Sequence, residues 1–150
     1  MDVTGMLALA KIGGPLALGF SALGSAIGIS IAGSAGIGAW KKCYAQNRPA
    51  PFLLLSFIGA PLSQTIYGLI VMLLFKARAI ENPELWLVFL IGGLMSGIAL
   101  GASAWLQGRV CAAGCDAYAE TGKGFVNYII AVGTVETIAL FVMIFMLLAF

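Results

Sequence analysis

The chain has 150 residues, of which 61% are hydrophobic and only 9% are charged, and its formal net charge is +2. The mean hydropathy of +1.05 lies far from the balance of a water-soluble domain and predicts an integral membrane protein. Because apolar segments use up nearly the whole chain, any ATP, substrate or nucleic-acid chemistry would have to belong to a partner. The near-neutral charge provides no basic patch for DNA or RNA, so we expect no nucleic-acid partner.

Four long segments of the sequence carry almost no charge. They lie at about residues 12–40, 52–75, 85–113 and 125–150. Each exceeds the roughly 20 residues that an α-helix needs to cross a bilayer. The first segment follows an acidic N-terminus, "MDVTGMLALAK", and is too long for a cleaved signal peptide. We therefore predict an all-α membrane protein with four transmembrane helices, the first of which is retained.

The two halves of the chain resemble each other. The segment "SAIGISIAGSAGIGAW" from Ser25 aligns with "SAWLQGRVCAAGCDAY" from Ser103, and "GAPLSQTIYGLIV" aligns with "AVGTVETIALFV". The second alignment places Gln64 opposite Glu136, so only the second half carries an acid at this position. Such a repeat predicts two fused, duplicated helical hairpins, residues 1–80 and residues 81–150.

Small residues recur at helical spacing in the first and third predicted helices. The rows include Gly24, Gly28, Ala32 and Gly36 in the first helix and Gly93, Gly97 and Gly101 in the third. Small residues let membrane helices approach one another closely. A second small row on the first helix favours contacts on more than one side, as in an inner ring, with the bulkier second and fourth helices outside. Ordinary packing of a monomeric bundle would also use such rows.

Glu136 is the single charged residue between Phe125 and Phe150. An ionised acid at the middle of a bilayer costs roughly 2.5 to 3.5 kcal/mol on insertion scales. Nothing nearby in sequence can neutralise it, so partners for the carboxylate must come from other helices. Glu136 is therefore predicted to be a functional site.

Polar side chains of the second helix match Glu136 in depth. Ser63, Gln64 and Tyr67 share one helical face, and Pro61 leaves backbone oxygens of the preceding turn without their usual donor. Gln107 adds a second amide from the third helix. Hydroxyl, amide and carbonyl oxygens beside a carboxylate suit a hard cation such as Na+, which needs several oxygens to replace its water. Alternatively, these groups only hold the helices together through hydrogen bonds.

The three cysteines and Arg109 are not predicted to belong to the site around Glu136. Cys111 and Cys115 lie one helical turn apart, but the chain has no histidine and no second cysteine pair, so we expect neither a metal centre nor a disulfide. Arg109 lies about 200° around the helix from Gln107 and should not neutralise Glu136. Its head group is expected to reach the membrane surface or the lumen of a ring.

Basic residues weakly favour one orientation in the membrane. Lys41, Lys42, Arg48 and Lys123 slightly outweigh Lys11, Lys76 and Arg78 on the opposite side. Because short cytoplasmic loops carry an excess of lysine and arginine, loops 41–51 and 114–124 are predicted to be cytoplasmic and both termini external. This describes a multi-pass protein of the cell membrane.

Taken together, these motifs resemble one family. The duplicated hairpins, "PLSQTIYG" in the second helix, "LQGRV" in the third and "VET" in the fourth resemble the proteolipid K or c subunit of V-type rotary ATPases and ATP synthases, particularly their bacterial sodium-translocating branch. The resemblance implies that Glu136 carries the ion. It further implies that Gln64, Gln107, Ser63 and the backbone carbonyl of Ala60 complete a sodium site, and that the Tyr67 hydroxyl holds the carboxylate closed over the ion.

The resemblance also implies how such a protein works. Identical subunits would form a lipid-embedded rotor ring that turns against a membrane stator subunit with an arginine. A central-stalk subunit would dock on the cytoplasmic loops and couple rotation to ATP hydrolysis or synthesis in other subunits, so the chain itself would not be an enzyme.

Three other interpretations remain open. The same rotor could carry protons, with the polar cluster only polarising and desolvating Glu136. A small proton-coupled multidrug exporter would also need an intramembrane acid, although it predicts an aromatic-lined pocket. A purely structural ring or pore would not need the acid at all.

Overall fold

The computed structural model describes residues 2–150, and these residues form five α-helices and no β-strand. The helices are α1 (Val3–Ala45), α2 (Leu54–Gly59), α3 (Ser63–Glu81), α4 (Trp86–Thr121) and α5 (Phe125–Ala149). A 3₁₀ turn at Ala60–Leu62 joins α2 to α3, and a second at Pro83–Leu85 leads into α4. The result is four helical segments long and apolar enough to cross a membrane. The prediction of an all-α protein with four such helices is confirmed.

The helices extend beyond the apolar segments, so the predicted extents of the two loops were wrong. Residues 41–45 continue α1 and residues 114–121 continue α4, which leaves connections of only 46–53 and 122–124. An apolar segment ends where the membrane core ends, whereas a helix satisfies its own backbone and can continue into the polar interface. Backbone turns mark the ends of α1 and α4 instead: Asn47 follows α1 with a φ angle of 51°, and Gly122 follows α4 with a φ angle of 63°. Gly124, with a φ angle of 81°, directly precedes α5.

The longest helices, α1 and α4, pack against each other through glycine. A Cβ atom added at Gly24 would collide with the backbone of Gly101, and one added at Gly108 would collide with the backbone of Gly28. Only hydrogen fits at these crossings, which explains why small residues recur at helical spacing on both helices.

The other two segments, α2 with α3 and α5, pack on the outside of this pair. Gly68 of α3 lies against Ser21 of α1, and Pro61 lies against Gly28. In α5 only Val132 and Ala139 are buried, and large apolar side chains are exposed along its length. Surface of this kind suits contact with lipid or with another membrane helix.

Clusters of apolar side chains pack at both ends of the helix bundle, on either side of its polar middle. Towards the 46–53 and 122–124 connections, the rings of Phe57 and Phe125 lie 5.4 Å apart. Towards the termini, Phe75 contacts Phe89 at 5.3 Å and Phe150 at 4.8 Å. The polar residues of α3, α4 and α5 lie between these clusters, where charge interactions are weakly screened.

Candidate functional site

Glu136 lies half-buried on α5 and accepts hydrogen bonds from two other helices. The Tyr67 hydroxyl of α3 donates to Oε1 at 2.8 Å, and Gln107 Nε2 of α4 donates to Oε2 at 3.3 Å. Each carboxylate oxygen therefore has one donor. This arrangement suits an ionised carboxylate, which only accepts hydrogen bonds.

The two glutamines extend this network into the core, where both are fully buried. Gln64 Nε2 donates to Gln107 Oε1 at 2.8 Å, and Gln107 Nε2 also lies 3.3 Å from the carbonyl oxygen of Val132. Val132 and Glu136 are one helical turn apart, so one amide contacts two groups on the same face of α5. The position of the carboxylate is thus fixed by a chain of hydrogen bonds that runs from α3 through α4.

Pro61 shapes the part of the site contributed by α3. Proline has no backbone N–H, and the chain forms a 3₁₀ turn at Ala60–Leu62 in place of a regular α-helical turn. The Ala60 carbonyl accepts both the backbone N–H of Ser63 and its hydroxyl, at 3.0 Å for the hydroxyl. Ser63 Oγ also lies 3.2 Å from Gln64 Oε1. The turn therefore gathers carbonyl, hydroxyl and amide oxygens at one level.

The structure brings all the residues that the sequence marked for the site into one connected cluster: Glu136, Gln64, Gln107, Ser63, Ala60 and Tyr67. Two details differ from the simplest expectation. Gln64 bonds to Gln107, which in turn bonds to the carboxylate. The Ala60 carbonyl already accepts bonds from Ser63, so it would have to exchange one of them to coordinate a cation.

Sequence reasoning missed Ser103. Its hydroxyl donates to the Val135 carbonyl at 3.3 Å and ties α4 to α5 beside Glu136. A usable signal existed, because Ser103 precedes Gln107 by four residues and must lie on the same face of α4.

No basic side chain neutralises Glu136 within residues 2–150. The ion pairs of this part of the chain join Lys42 to Glu120 and Arg78 to Glu81, near helix ends. Arg109 is exposed and forms no ion pair with a described residue. An ionised Glu136 would therefore have no charged partner within this part of the chain.

The cysteines pack as small core residues. Cys43, Cys111 and Cys115 are buried and unbonded to one another. The Cys43 thiol lies 3.9 Å from the Ala119 carbonyl and the Cys115 thiol 4.0 Å from the Leu54 carbonyl. These contacts give the thiols a packing role.

Comparison with known proteins gives two partial matches. Residues 90–149 match the protein family of the C subunit of ATP synthase. The chain is also 34% identical over 122 residues to the A-type ATP synthase subunit K of Methanocaldococcus jannaschii. These matches support a proteolipid of the c/K type. The matched segment contains Gln107 and Glu136, and the match together with four potential spans supports a multi-pass membrane protein.

The second match covers 79% of this chain but 51% of the relative, so the chain spans about half the length of that protein. The name of the relative assigns that protein to an ATP synthase. For the present chain, the assembly, its cargo and its partners are matters of proposal.

Proposed function

We propose that this chain is a c/K-type proteolipid, the ion-carrying rotor subunit of a V-type or related rotary ATPase, with Glu136 as the carrier. The observation that carries the proposal is a carboxylate at mid-span that two other helices hold in place, while no described residue supplies a counter-charge. An uncompensated carboxylate cannot pass hydrocarbon cheaply. A cation that binds and leaves would neutralise it during passage and discharge it at a channel.

We propose Na+ as the cargo, which places the chain in the sodium-translocating branch. Amide, hydroxyl and carbonyl oxygens of Gln64, Gln107, Ser63 and Ala60 surround the carboxylate network. A dehydrated sodium ion needs several oxygen ligands, whereas a proton on Glu136 needs one acceptor. Rotation of the two amide groups would present their oxygens to the ion, and the Tyr67 hydroxyl would hold the carboxylate in place over it.

The same rotor carrying H+ is the alternative cargo. In that case a protonated Glu136 would donate to one of the neighbouring oxygens, and Tyr67 would donate to the other carboxyl oxygen. The observation that favours Na+ is the number of oxygens in the cluster: the amides of Gln64 and Gln107, the Ser63 hydroxyl and the Ala60 carbonyl add ligands that a proton does not need.

The proposed assembly is a ring of identical, non-catalytic subunits in lipid. Each subunit would comprise two fused hairpins, residues 1–80 and 81–150, with one acid per four helices. A stator subunit would supply an arginine that displaces the ion, and a central stalk would bind connections 46–53 and 122–124 on the cytoplasmic side, with the termini outside. Moving one charge is worth about 2.3 kcal/mol per 100 mV, so ATP hydrolysis or synthesis in partner subunits would couple to several ions.

Labelling with a carboxyl-reactive carbodiimide tests the cargo. The purified, detergent-extracted assembly is treated at neutral pH with increasing NaCl, at constant ionic strength kept with choline chloride, and modification of Glu136 is followed by mass spectrometry. We expect Na+ to slow the labelling of Glu136. Labelling that depends on pH and not on Na+ would contradict sodium and favour the proton rotor.

A further inference from the structure

Ser25 on α1 carries a buried hydroxyl that the site described so far does not use. The residue is 2% exposed, and Ser25 Oγ has no hydrogen-bond partner among residues 2–150. Its neighbours differ, because Ser21 Oγ donates to the Leu18 carbonyl at 2.9 Å and Ser96 Oγ donates to the Gly93 carbonyl at 3.2 Å. A buried hydroxyl without a hydrogen-bond partner is unfavourable, so a partner for the Ser25 hydroxyl would be stabilising.

Contacts between α1 and α3 place Ser25 level with the ion site. The two helices run in opposite directions, with Ser21 against Gly68 and Gly28 against Pro61. Ser25 lies between Ser21 and Gly28 on this face of α1, and Gln64 of α3 lies between Pro61 of the preceding turn and Gly68. Ser25 therefore lies on the face of α1 that packs against α3, at the level of Gln64.

The internal repeat gives the same placement independently. Ser25 aligns with Ser103, and Gln64 aligns with Glu136. In the second hairpin, the Ser103 hydroxyl donates to the carbonyl of Val135, the residue before Glu136. The serine position is thus level with the position of the acid or amide in the second half, as the packing of α1 on α3 indicates for the first.

Binding of a cation would create a need for an acceptor at this position. Gln64 Nε2 now donates to Gln107 Oε1. If Gln107 Oε1 coordinates a cation, that cation repels the partial positive charge of the Gln64 N–H and weakens its bond to the same oxygen. A Gln64 amide that turns Oε1 to the ion also points Nε2 to its opposite side, where a buried N–H would be costly without an acceptor.

We propose that Ser25 Oγ accepts this hydrogen bond from Gln64 Nε2 in the ion-loaded state, directly or through one bridging water. Ser25 is then a positioning residue, which acts on the ion through Gln64. The inference rests on the proposed sodium cargo and adds α1 to the helices that determine affinity.

The test compares Ser25→Ala with Ser21→Ala, a matched control on the same face whose hydroxyl already bonds within α1. The Na+ concentration that half-protects Glu136 from carbodiimide is measured in the intact assembly. One hydrogen bond corresponds to roughly a three- to tenfold increase for Ser25→Ala, with no change for Ser21→Ala. Ser25→Cys, close in volume with a weak acceptor, should give an intermediate value and provides a second variant if alanine impairs assembly.

Thermal unfolding separates positioning from packing. Without Na+, Ser25→Ala should be as stable as the wild type or more stable, because it removes an unpaired buried hydroxyl. With Na+, it should gain less stabilisation than the wild type. Half-protection of the Ser25 variants at the wild-type Na+ concentration would overturn the role of Ser25 alone. Absence of Na+ protection in the wild type would overturn the sodium cargo and, with it, this role.

Discussion

At the residue scale, Glu136 is defined by the groups that donate to it. Moving a charged residue to the middle of a membrane costs free energy. Hydrogen bonds from Tyr67 and Gln107, on two other helices, offset part of that cost. These bonds stabilise the ionised carboxylate and fix its orientation. Neither donor carries a charge, so neither neutralises the carboxylate.

Replacement of Tyr67 by Phe tests the contribution of one donor. The ring remains, but the hydroxyl that bonds to Oε1 is lost, so the carboxylate should be held less well over the ion. A hydrogen bond to a charged group is worth about 1.5 kcal/mol or more, which corresponds to about a tenfold increase in the Na+ concentration that half-protects Glu136 from carbodiimide. Tyr128→Phe on α5 is the control, and equal half-protection in both variants would contradict the role of Tyr67.

The polar members of the site could be predicted from sequence because polar side chains are conspicuous in a lipid-spanning helix. Gln64 and Gln107 stood out in this way, but the order of the bonds did not, since it depends on the packing angle between α3 and α4. That Gln107 bridges Gln64 and Glu136 required the structure. The role of the cluster as a sodium site stays a prediction.

At the element scale, the turn at Ala60–Leu62 determines how α3 presents its oxygens. A 3₁₀ turn advances each residue by about 120° and an α-helix by about 100°, so three residues rotate the rest of α3 about its axis by roughly 60°. The turn that contains Pro61 thus precedes Gln64, which bonds to Gln107 of α4.

Pro61→Ala should therefore impair ion binding more than it impairs folding. Alanine restores an N–H that can donate to the Phe57 carbonyl and favours a continuous helix. We expect at least a tenfold loss of Na+ protection of Glu136, with the assembly retained on size-exclusion chromatography. Unchanged protection would show that the turn does not position the site.

Close packing of α1 on α4 predicts that replacing a glycine by alanine lowers stability at some positions of α1 and not at others. Gly24→Ala should lower the stability of the subunit, by about 1 to 3 kcal/mol, because its Cβ collides with Gly101. Gly19→Ala on the same helix is the control, because a Cβ there meets no atom within 4 Å. Thermal unfolding in detergent measures both, and equal midpoints would contradict the packing of the inner pair.

The number of helical segments that could span a membrane followed from the sequence, whereas the ends of the helices did not. The continuation of α1 to Ala45 and α4 to Thr121 carries charged residues past the apolar segments. Hydropathy indicates where the apolar core of the membrane ends. The ends of α1 and α4 are indicated instead by the turn-forming residues Asn47 and Gly122.

At the scale of the whole molecule, a single chain leaves much apolar surface exposed. On α1, Leu23 and Ile37 are 62% and 65% exposed, and on α5 Ile138 is 64% exposed. In a rotor, neighbouring copies would cover the sides of each subunit and lipid would cover the outside. The number of copies depends on small differences in packing angle and does not follow from one subunit.

A density map of the detergent-extracted assembly tests this arrangement. We expect a closed ring of identical copies, with α1 and α4 towards the lumen and α3 and α5 outside. A monomer or an open oligomer would contradict the rotor.

The most direct test of the central claim is ATP-driven uptake of radioactive sodium by the complete complex in proteoliposomes, with Glu136→Gln compared with the wild type. Glutamine preserves the shape of the side chain but cannot carry the negative charge that pairs with the cation. Glu84→Gln, at an exposed acid near the start of α4, is the control for loss of a carboxylate elsewhere. The account predicts uptake in the wild type and Glu84→Gln and none in Glu136→Gln, with the ring intact in all three. Sodium uptake that persists in Glu136→Gln would contradict it.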